Sequence, residues 1–325
     1  MGHRSSSVAV LLLNMGGPDS LQAVKPFLEN LFTDPVITGL PRFLCRPLAA
    51  VLSSSRAKKV TPRYDLIGGR SPLNSITKNQ CAALESELTD RGLDAVSVRP
   101  ALRYWNPFIS EVATWIREKE AERIVALSLY PQFCRATSGT CLDELEDTLS
   151  ANNMLHMVEI IDRWPVNPGY IRALAGTITE ALESIPEPDR KDAVILFSAH
   201  GIPQSLIRKG DPYLAETTRT VESVMKVLGD RPNSLAFQSR LGPVRWLEPS
   251  LSDVLTRLAS NGKPPIVIVP VSFVSDNIET LYELDIKHKE IAESLGIKTY
   301  VRAPALNTRP DFIEALADLV LSSLG

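Results

Sequence analysis

An α/β protein built from two similar halves is predicted by three observations. Short apolar runs alternate with amphipathic helical stretches along the chain. Several runs are apolar without interruption and stop at Gly- or Pro-containing turns, as strands buried on both faces of a parallel sheet do. The rhythm also repeats, four strands with their helices in each half, and corresponding strands end alike: Met15-Gly16-Gly17-Pro18 beside His200-Gly201-Ile202-Pro203, and Tyr130-Pro131-Gln132 beside Phe273-Val274-Ser275. Alternation of this kind implies parallel sheets with crossover helices. The expectation is two similar α/β domains, 1–165 and 166–307, each a four-stranded parallel sheet flanked by helices. A cleft lies between them, and the final stretch, 308–325, packs back on the first domain.

Composition narrows the function classes. A chain of 325 residues with net charge −3 and no Lys/Arg block has nothing to track a phosphate backbone, so nucleic acid is not an expected partner. Four scattered cysteines, Cys45, Cys81, Cys134 and Cys141, do not make a disulfide framework and suit the reducing cytoplasm. No apolar run reaches the roughly 20 residues of a membrane helix. Val8–Leu13 after Arg4 faintly resembles a signal peptide, but Asn14-Met15-Gly16-Gly17-Pro18 stands where a cleavage site belongs, so a first strand is the better reading. Gly2 with Ser6 fits the loose myristoylation pattern by chance.

In order, Val8–Leu13 is a strand and Leu21–Phe32 a helix. Across Gly39–Lys59, apolar Leu40, Phe43, Leu44, Leu48 and Val51 interleave with Arg42, Arg46, Arg56, Lys58 and Lys59. That mixture suits either a membrane surface or a helix covering the core with solvated bases. Ile67–Pro72 is a loop, Ser75–Arg91 a helix stopped by Gly92, and Asp94–Ala101 a strand leading to Arg103 and Tyr104. Helix Phe108–Lys119, strand Arg123–Leu129, helix Ser138–Asn152 and strand His156–Ile161 complete the first half. Helix Asn167–Ile185 carries the chain across. The second half runs strand Ala193–Ser198, helix Tyr213–Leu228, strand Ser234–Gln238, helix Ser250–Ser260, strand Pro265–Ser272, helix Asp276–Leu295, strand Ile297–Arg302 and helix Asp311–Leu324.

Two segments carry candidate chemistry. Ligands of open α/β sheets bind beyond the carboxyl ends of strands, and His200 alone of the four histidines stands just past such an end. The plain alternative is a histidine that caps the strand with one hydrogen bond. In Asp276-Asn277-Ile278-Glu279-Thr280-Leu281-Tyr282-Glu283, the acids at i, i+3 and i+7 share one face of a regular helix. Asp276 with Glu279 also fits a capping box, which does not need Glu283. A histidine facing a carboxylate row takes protons from a weak acid, or holds and passes a divalent cation. No Cys-x-x-Cys pair, nucleophile elbow or Walker loop is present, and the first turn lacks the dinucleotide-binding fingerprint.

At these residues the chain resembles the ferrochelatase family, whose members insert ferrous iron into a porphyrin in haem synthesis. The resemblance runs from Leu12-Leu13-Asn14-Met15-Gly16-Gly17-Pro18 to the last helix. It is most specific at Leu196-Phe197-Ser198-Ala199-His200 and Ser275–Asp285, with Arg103-Tyr104, Tyr130-Pro131-Gln132, Ile161–Pro165, Gln238-Ser239, Gly242-Pro243 and Trp246 between. It implies two Rossmann-like domains and a cleft for the macrocycle. His200 and Glu279 are implied as the catalytic pair, and His200, Glu279, Asp276 and Glu283 as the groups that meet the metal. Met15, Arg103, Tyr104 and Trp246 are implied around the porphyrin, with Arg56, Lys59 and Ser71 near its propionates. Leu40–Val51 resembles an apolar lip, which favours peripheral membrane contact of a cytoplasmic protein through residues 40–51.

The substrates implied are ferrous iron and protoporphyrin IX, which Met15 favours over coproporphyrin because relatives acting on the latter carry a tyrosine in the first loop. No cofactor beyond substrate iron is expected. Some relatives hold an iron–sulfur cluster, but Arg135 stands where they place a cluster cysteine, so no cluster is expected here. Asn277 replaces a histidine of some relatives, and Lys287 ends the acidic face early. The competing readings are a coproporphyrin ferrochelatase, another tetrapyrrole chelatase such as one placing cobalt in a sirohydrochlorin, and a non-catalytic haem or metal carrier.

Overall fold

The structure, a computed structural model, describes residues 7–239 and 244–325. Arg4, Gly2 and Ser6, like Arg240 and the Gly242-Pro243 pair, lie outside the described residues. The chain divides into two compact units, Met1–Trp164 with Ile313–Gly325, and Pro165–Phe312.

In the first unit, strand β1 (Val8–Asn14) is followed by helices α1 (Val24–Phe32), α2 (Pro35–Thr38), α3 (Arg42–Leu66) and α4 (Leu73–Asp90). Then come β2 (Val96–Leu102), α5 (Val112–Glu118), β3 (Arg123–Ser128), α6 (Thr140–Ala151) and β4 (Val158–Ile161). The sheet is wholly parallel, in the order β2-β1-β3-β4. Every residue of central β1 is buried, whereas edge strand β4 is half open. The free edge of β2 is covered in one place by the Glu85 carboxylate of α4, which accepts from the Val98 N–H at 2.7 Å. The chain's last helix joins this unit through Arg91, 2.6 Å from Asp318, and through Arg123, whose guanidinium donates to the Leu324 carbonyl at 2.9 Å.

The second unit runs α7 (Pro168–Glu183), β5 (Val194–His200), α8 (Gln204–Arg208), α9 (Tyr213–Leu228), β6 (Asn233–Gln238), α10 (Leu251–Ser260), β7 (Ile266–Pro270), α11 (Lys289–Ser294), β8 (Tyr300–Arg302) and the start of α12 (Pro310–Leu324). Its sheet has the same order by position, β6-β5-β7-β8, and is again wholly parallel. In this order the chain leaves the first strand to one side and returns on the other. The connections at the carboxyl ends of β5 and β7 therefore part, and such a point of reversal is where open α/β sheets bind their ligands.

Several elements differ from the sequence expectation. His200 is the last residue of β5, not the first beyond it. The regular helix expected over Asp276–Leu295 is a π-helix, Glu279–His288, followed by α11. The helix expected from Ser138 opens with π geometry over Arg135–Gly139, and that expected from Phe108 opens with a 3-10 turn, Ile109–Glu111. Wider or tighter turns leave no mark in an apolar period of 3 to 4 residues. Helix α3 runs on to Leu66 through Pro47 and Pro62, which propensity alone places at a break. One stripe of α3 (Cys45, Ala49, Ser53, Val60, Tyr64) is buried, and α3 packs on α1, so tertiary contact overrides the local cost.

Candidate active site

The carboxyl edge of the second sheet gathers the side chains of interest. Alternation along β5 puts Leu196, Ser198 and His200 on one face, and His200 is in register with Gln238 of β6. Leu284 of the π-helix shares a core with Leu196, Ala236 and Ile268 on that face. The π-helix therefore lies over the strand ends that carry Ser198, His200 and Gln238. Burying each large apolar side chain there stabilises the unit by about 1.5–3 kcal/mol, so the position of the π-helix follows from its Leu284 anchor.

The main chain of His200 is held on both sides. Its N–H donates to Ser272 Oγ at 3.3 Å, and its carbonyl accepts from the buried Tyr213 hydroxyl at 2.9 Å. Tyr213 Oη and Ser272 Oγ are themselves 2.6 Å apart. The imidazole stands edge-on to Phe273, with centroids 5.9 Å apart and planes at 90°. Gly201 must follow: a Cβ there would lie 2.5 Å from the Gln238 carbonyl oxygen. Trp246 flanks the same turn, 3.6 Å from that position at Cε3, and bridges Pro203.

His200 Nδ1 is buried and, among the described residues, has no hydrogen-bond partner. The strand-capping alternative requires such a bond. Leaving a buried polar atom unpaired costs about 1–3 kcal/mol, which marks the atom as one kept for something other than folding. Burial holds the imidazole below its ordinary pKa, and the negative charge of Glu283 acts in the opposite sense. His200 is therefore neutral near pH 7, with a lone pair to offer.

The two glutamates of the π-helix differ in environment. Burial, reinforced by the charge on Glu283, pushes Glu279 up to about 7, while its own backbone N–H opposes the rise. Glu283 Oε2 accepts from Gln238 Nε2 at 3.1 Å and from the Ser239 hydroxyl. Gln238 Nε2 also donates to the Glu279 carbonyl at 3.1 Å, and its Oε1 accepts from Ser198 Oγ at 2.6 Å. The far end of the π-helix is closed by buried His288, whose Nδ1 lies 2.6 Å from the Glu283 carbonyl. A carbonyl only accepts, so Nδ1 carries the proton there.

Asp276 is not brought to this cluster. It precedes the π-helix, accepts from Thr280 Oγ1 and Asn307 Nδ2 at 2.9 Å each, and pairs with Arg302 at 3.1 Å. Among the described residues, no three His, Cys, Asp or Glu side chains converge closely enough to hold a metal ion by themselves.

The remaining candidates lie in the first unit. Half-buried Met15 follows β1; its N–H donates to Asn14 Oδ1 and its carbonyl accepts from the Tyr104 N–H, both at 2.9 Å. Arg103 spends its guanidinium on Asp34 at 2.9 Å and Glu144 at 2.7 Å. Tyr104 is 2% exposed and donates to Asp34 Oδ2 at 3.0 Å. Asp34 in turn caps α2 through the Val36 N–H at 2.9 Å. Arg103 and Tyr104 thus brace the start of the α2–α3 segment, while Arg103 Nε stays buried without a hydrogen-bond partner among the described residues. Ser71 is buried against Gly17, where a Cβ would come within 2.6 Å of its Oγ. On α3, Arg56 is half-buried and Lys59 exposed.

Sequence reasoning does not single out Ser198, Gln238, Ser239 or Asp34 as site residues. A signal exists for two of them: Ser198 follows the apolar run Val194-Ile195-Leu196-Phe197 and Gln238 follows Leu235-Ala236-Phe237, at strand positions where burial demands a partner. Ser239 shows itself only in three dimensions, by a left-handed backbone at φ 66°.

Comparison with known proteins places the chain among relatives. The chain is 46% identical over 322 residues to the ferrochelatase of Geotalea daltonii, a match covering 99% of each chain. It is 44% identical over 324 residues to the ferrochelatase of Trichodesmium erythraeum, covering 98% of this chain and 83% of that one. Among solved structures, SirB from Bacillus subtilis with Fe3+ superposes with a TM-score of 0.59 over 98% of this chain and 95% of that one, at 10% identity, a likeness of fold alone. The model of the family described as Ferrochelatase matches residues 7–324, and the chain belongs to that family.

Proposed function

We propose that the protein is a lyase of haem biosynthesis that inserts ferrous iron into protoporphyrin IX. The observation that carries this reading is the His200 imidazole, its Nδ1 buried and without a hydrogen-bond partner among the described residues, under a π-helix bearing Glu279 and Glu283. Insertion removes two weakly acidic pyrrole protons and strips water from the iron. A neutral imidazole accepts such protons, and a carboxyl group poised near pH 7 takes and releases them without a large driving force. Glu279 fits that task, and Glu283 supplies a fixed negative charge for the arriving cation. Asp276 acts at one remove, as the anchor of the segment that carries the glutamates. Met15, Trp246, Arg103 and Tyr104 are proposed around the macrocycle, the last two through the shape they impose. Binding the ring out of plane turns its nitrogens towards the metal. Arg56, Lys59 and Ser71 are proposed for the propionates.

The test is anaerobic. Ferrous iron with protoporphyrin IX is expected to give catalytic metalloporphyrin formation, with coproporphyrin III turned over more slowly. A carrier would stop at one equivalent of haem. Product no greater than in buffer would overturn the enzyme reading, and a preference for coproporphyrin would reverse the substrate assignment.

Peripheral membrane contact is part of the proposal. Phe43 is 77% exposed and Val51 65%, with Leu44, Leu48 and Leu52 beside them on α3, opposite its buried stripe. Arg42, Arg46, Lys58 and Lys59 supply cations along the same helix. No helix among the described residues is long and apolar enough to cross a membrane. Flotation with anionic liposomes is expected to carry the wild-type protein upward, and Phe43→Glu with Val51→Glu to leave it behind. Equal flotation of the two would remove α3 as the docking element.

A further inference from the structure

We infer that Gln238 and Ser239 are positioning residues: together they form a clamp that fixes Glu283, and with it the first turn of the π-helix, against the strand end carrying His200. The inference rests on the roles proposed above for His200, Glu279 and Glu283.

The direction of the Gln238 amide follows from its partners. Buried Ser198 donates to Oε1, which commits Nε2 to the other side. There Nε2 finds two acceptors, the Glu279 carbonyl and the Glu283 carboxylate, each at 3.1 Å. A flipped amide would set Oε1 against both oxygens and leave the Ser198 hydroxyl facing an N–H group. One side chain therefore ties a strand residue, a helix carbonyl and a helix carboxylate into a single arrangement. Each bond is made in a buried setting where an unmade one is costly.

Ser239 adds the second jaw. Its hydroxyl donates to the same Glu283 oxygen, and it is reached only because the backbone leaves β6 in the left-handed region at φ 66°. A non-glycine residue held there carries strain, and strain of this sort concentrates where the surrounding structure needs a group in one place. The clamp does a job that the π-helix leaves open. A π-helix of this length is rare, most being single-turn bulges inside α-helices, so support from outside the helix helps to hold it. His288 provides it at the far end and Gln238 at the near one.

The experiment compares Gln238→Leu, Ser239→Ala, Glu283→Ala and the double variant Gln238→Leu/Glu283→Ala with wild type. Hydrogen exchange followed by mass spectrometry is expected to show amides 279–288 exchanging about 10-fold faster or more in Gln238→Leu, less so in Ser239→Ala, with α4 unchanged. Iron insertion is expected to lose about 10- to 100-fold in kcat in Gln238→Leu at unchanged porphyrin KM, as loss of a bond to a charged group implies. On the Glu283→Ala background the same substitution is expected to cost at least several-fold less than it does alone, because the part of its effect that passes through Glu283 is already lost and only the bond to the Glu279 carbonyl remains to break. A purely structural role would instead add its loss to that of Glu283→Ala, and that result overturns the inference. Unchanged exchange at 279–288 in both single variants overturns it as well. Should wild-type protein make no metalloporphyrin, the enzyme reading fails, and the exchange experiment alone still decides the clamp. If Gln238→Leu does not fold, Ser239→Ala, which deletes one hydroxyl, carries the exchange measurement and, paired with Glu283→Ala, the kinetic one.

Discussion

Replacing His200 by alanine is expected to abolish nearly all iron insertion, by about 10²- to 10⁴-fold in kcat, the range for loss of a general base. Porphyrin binding, followed by fluorescence quenching, is expected to stay within a few-fold of wild type. The variant should fold at least as well, for it removes a buried nitrogen that has no partner. The acid limb of the wild-type pH profile should rise through a pKa below the histidine value of 6.5, since burial holds His200 neutral at lower pH than usual. In stability terms, an imidazole kept neutral in the fold binds fewer protons than in the unfolded chain. Its contribution is complete above the unfolded pKa and falls as pH drops below it. Near-normal turnover by His200→Ala would remove the imidazole from the mechanism and return it to the role of a strand end.

The second large effect is expected of Glu279→Gln, about 10²-fold in kcat, with loss of the limb of the pH profile near 7. The same change should raise stability at alkaline pH. Glu279 is pushed from 4.5 to about 7. The folded chain therefore holds a proton that the unfolded chain has lost across that interval, and wild-type stability falls as pH rises through it. Glutamine cannot ionise, so the penalty disappears, and Tm of the variant is expected to exceed wild type at pH 8 and match it at pH 4. A Tm lower than wild type at pH 8 would mean that the Glu279 carboxylate is stabilised in the fold, contrary to its burial beside Glu283. An inactive yet more stable variant is the pattern expected where a site keeps a group in an unfavourable setting for its chemistry.

Much of this is legible in the order of the amino acids. Strands β1, β5 and β7 announce themselves because strands inside a parallel sheet are apolar on both faces, and a short unbroken apolar run between turns suits few other elements. His200 and the acids that follow β7 stand out because strand ends are where α/β sheets put ligands. What stays hidden are features set by distance instead of pattern. The i, i+3, i+7 spacing groups Asp276 with Glu279 and Glu283 on one regular helix face. The π-helix begins only at Glu279, and Asp276 turns to Arg302, which belongs to the later strand β8. The resemblance implies Arg103 and Tyr104 around the porphyrin, but nothing in the residue order shows that Asp34, far off in sequence, binds both.

The α/β class, the paired halves, the family and the two segments that bear the chemistry follow from residue order alone, because apolar periodicity and residue type are local properties. That His200 Nδ1 goes unpaired among the described residues, that burial pushes Glu279 towards neutrality, and that Gln238 and Ser239 grip Glu283 is settled in three dimensions. Each of these depends on which atoms from distant parts of the chain exclude water from one another, and hydrogen bonding and charge in a buried site are settled by those neighbours alone.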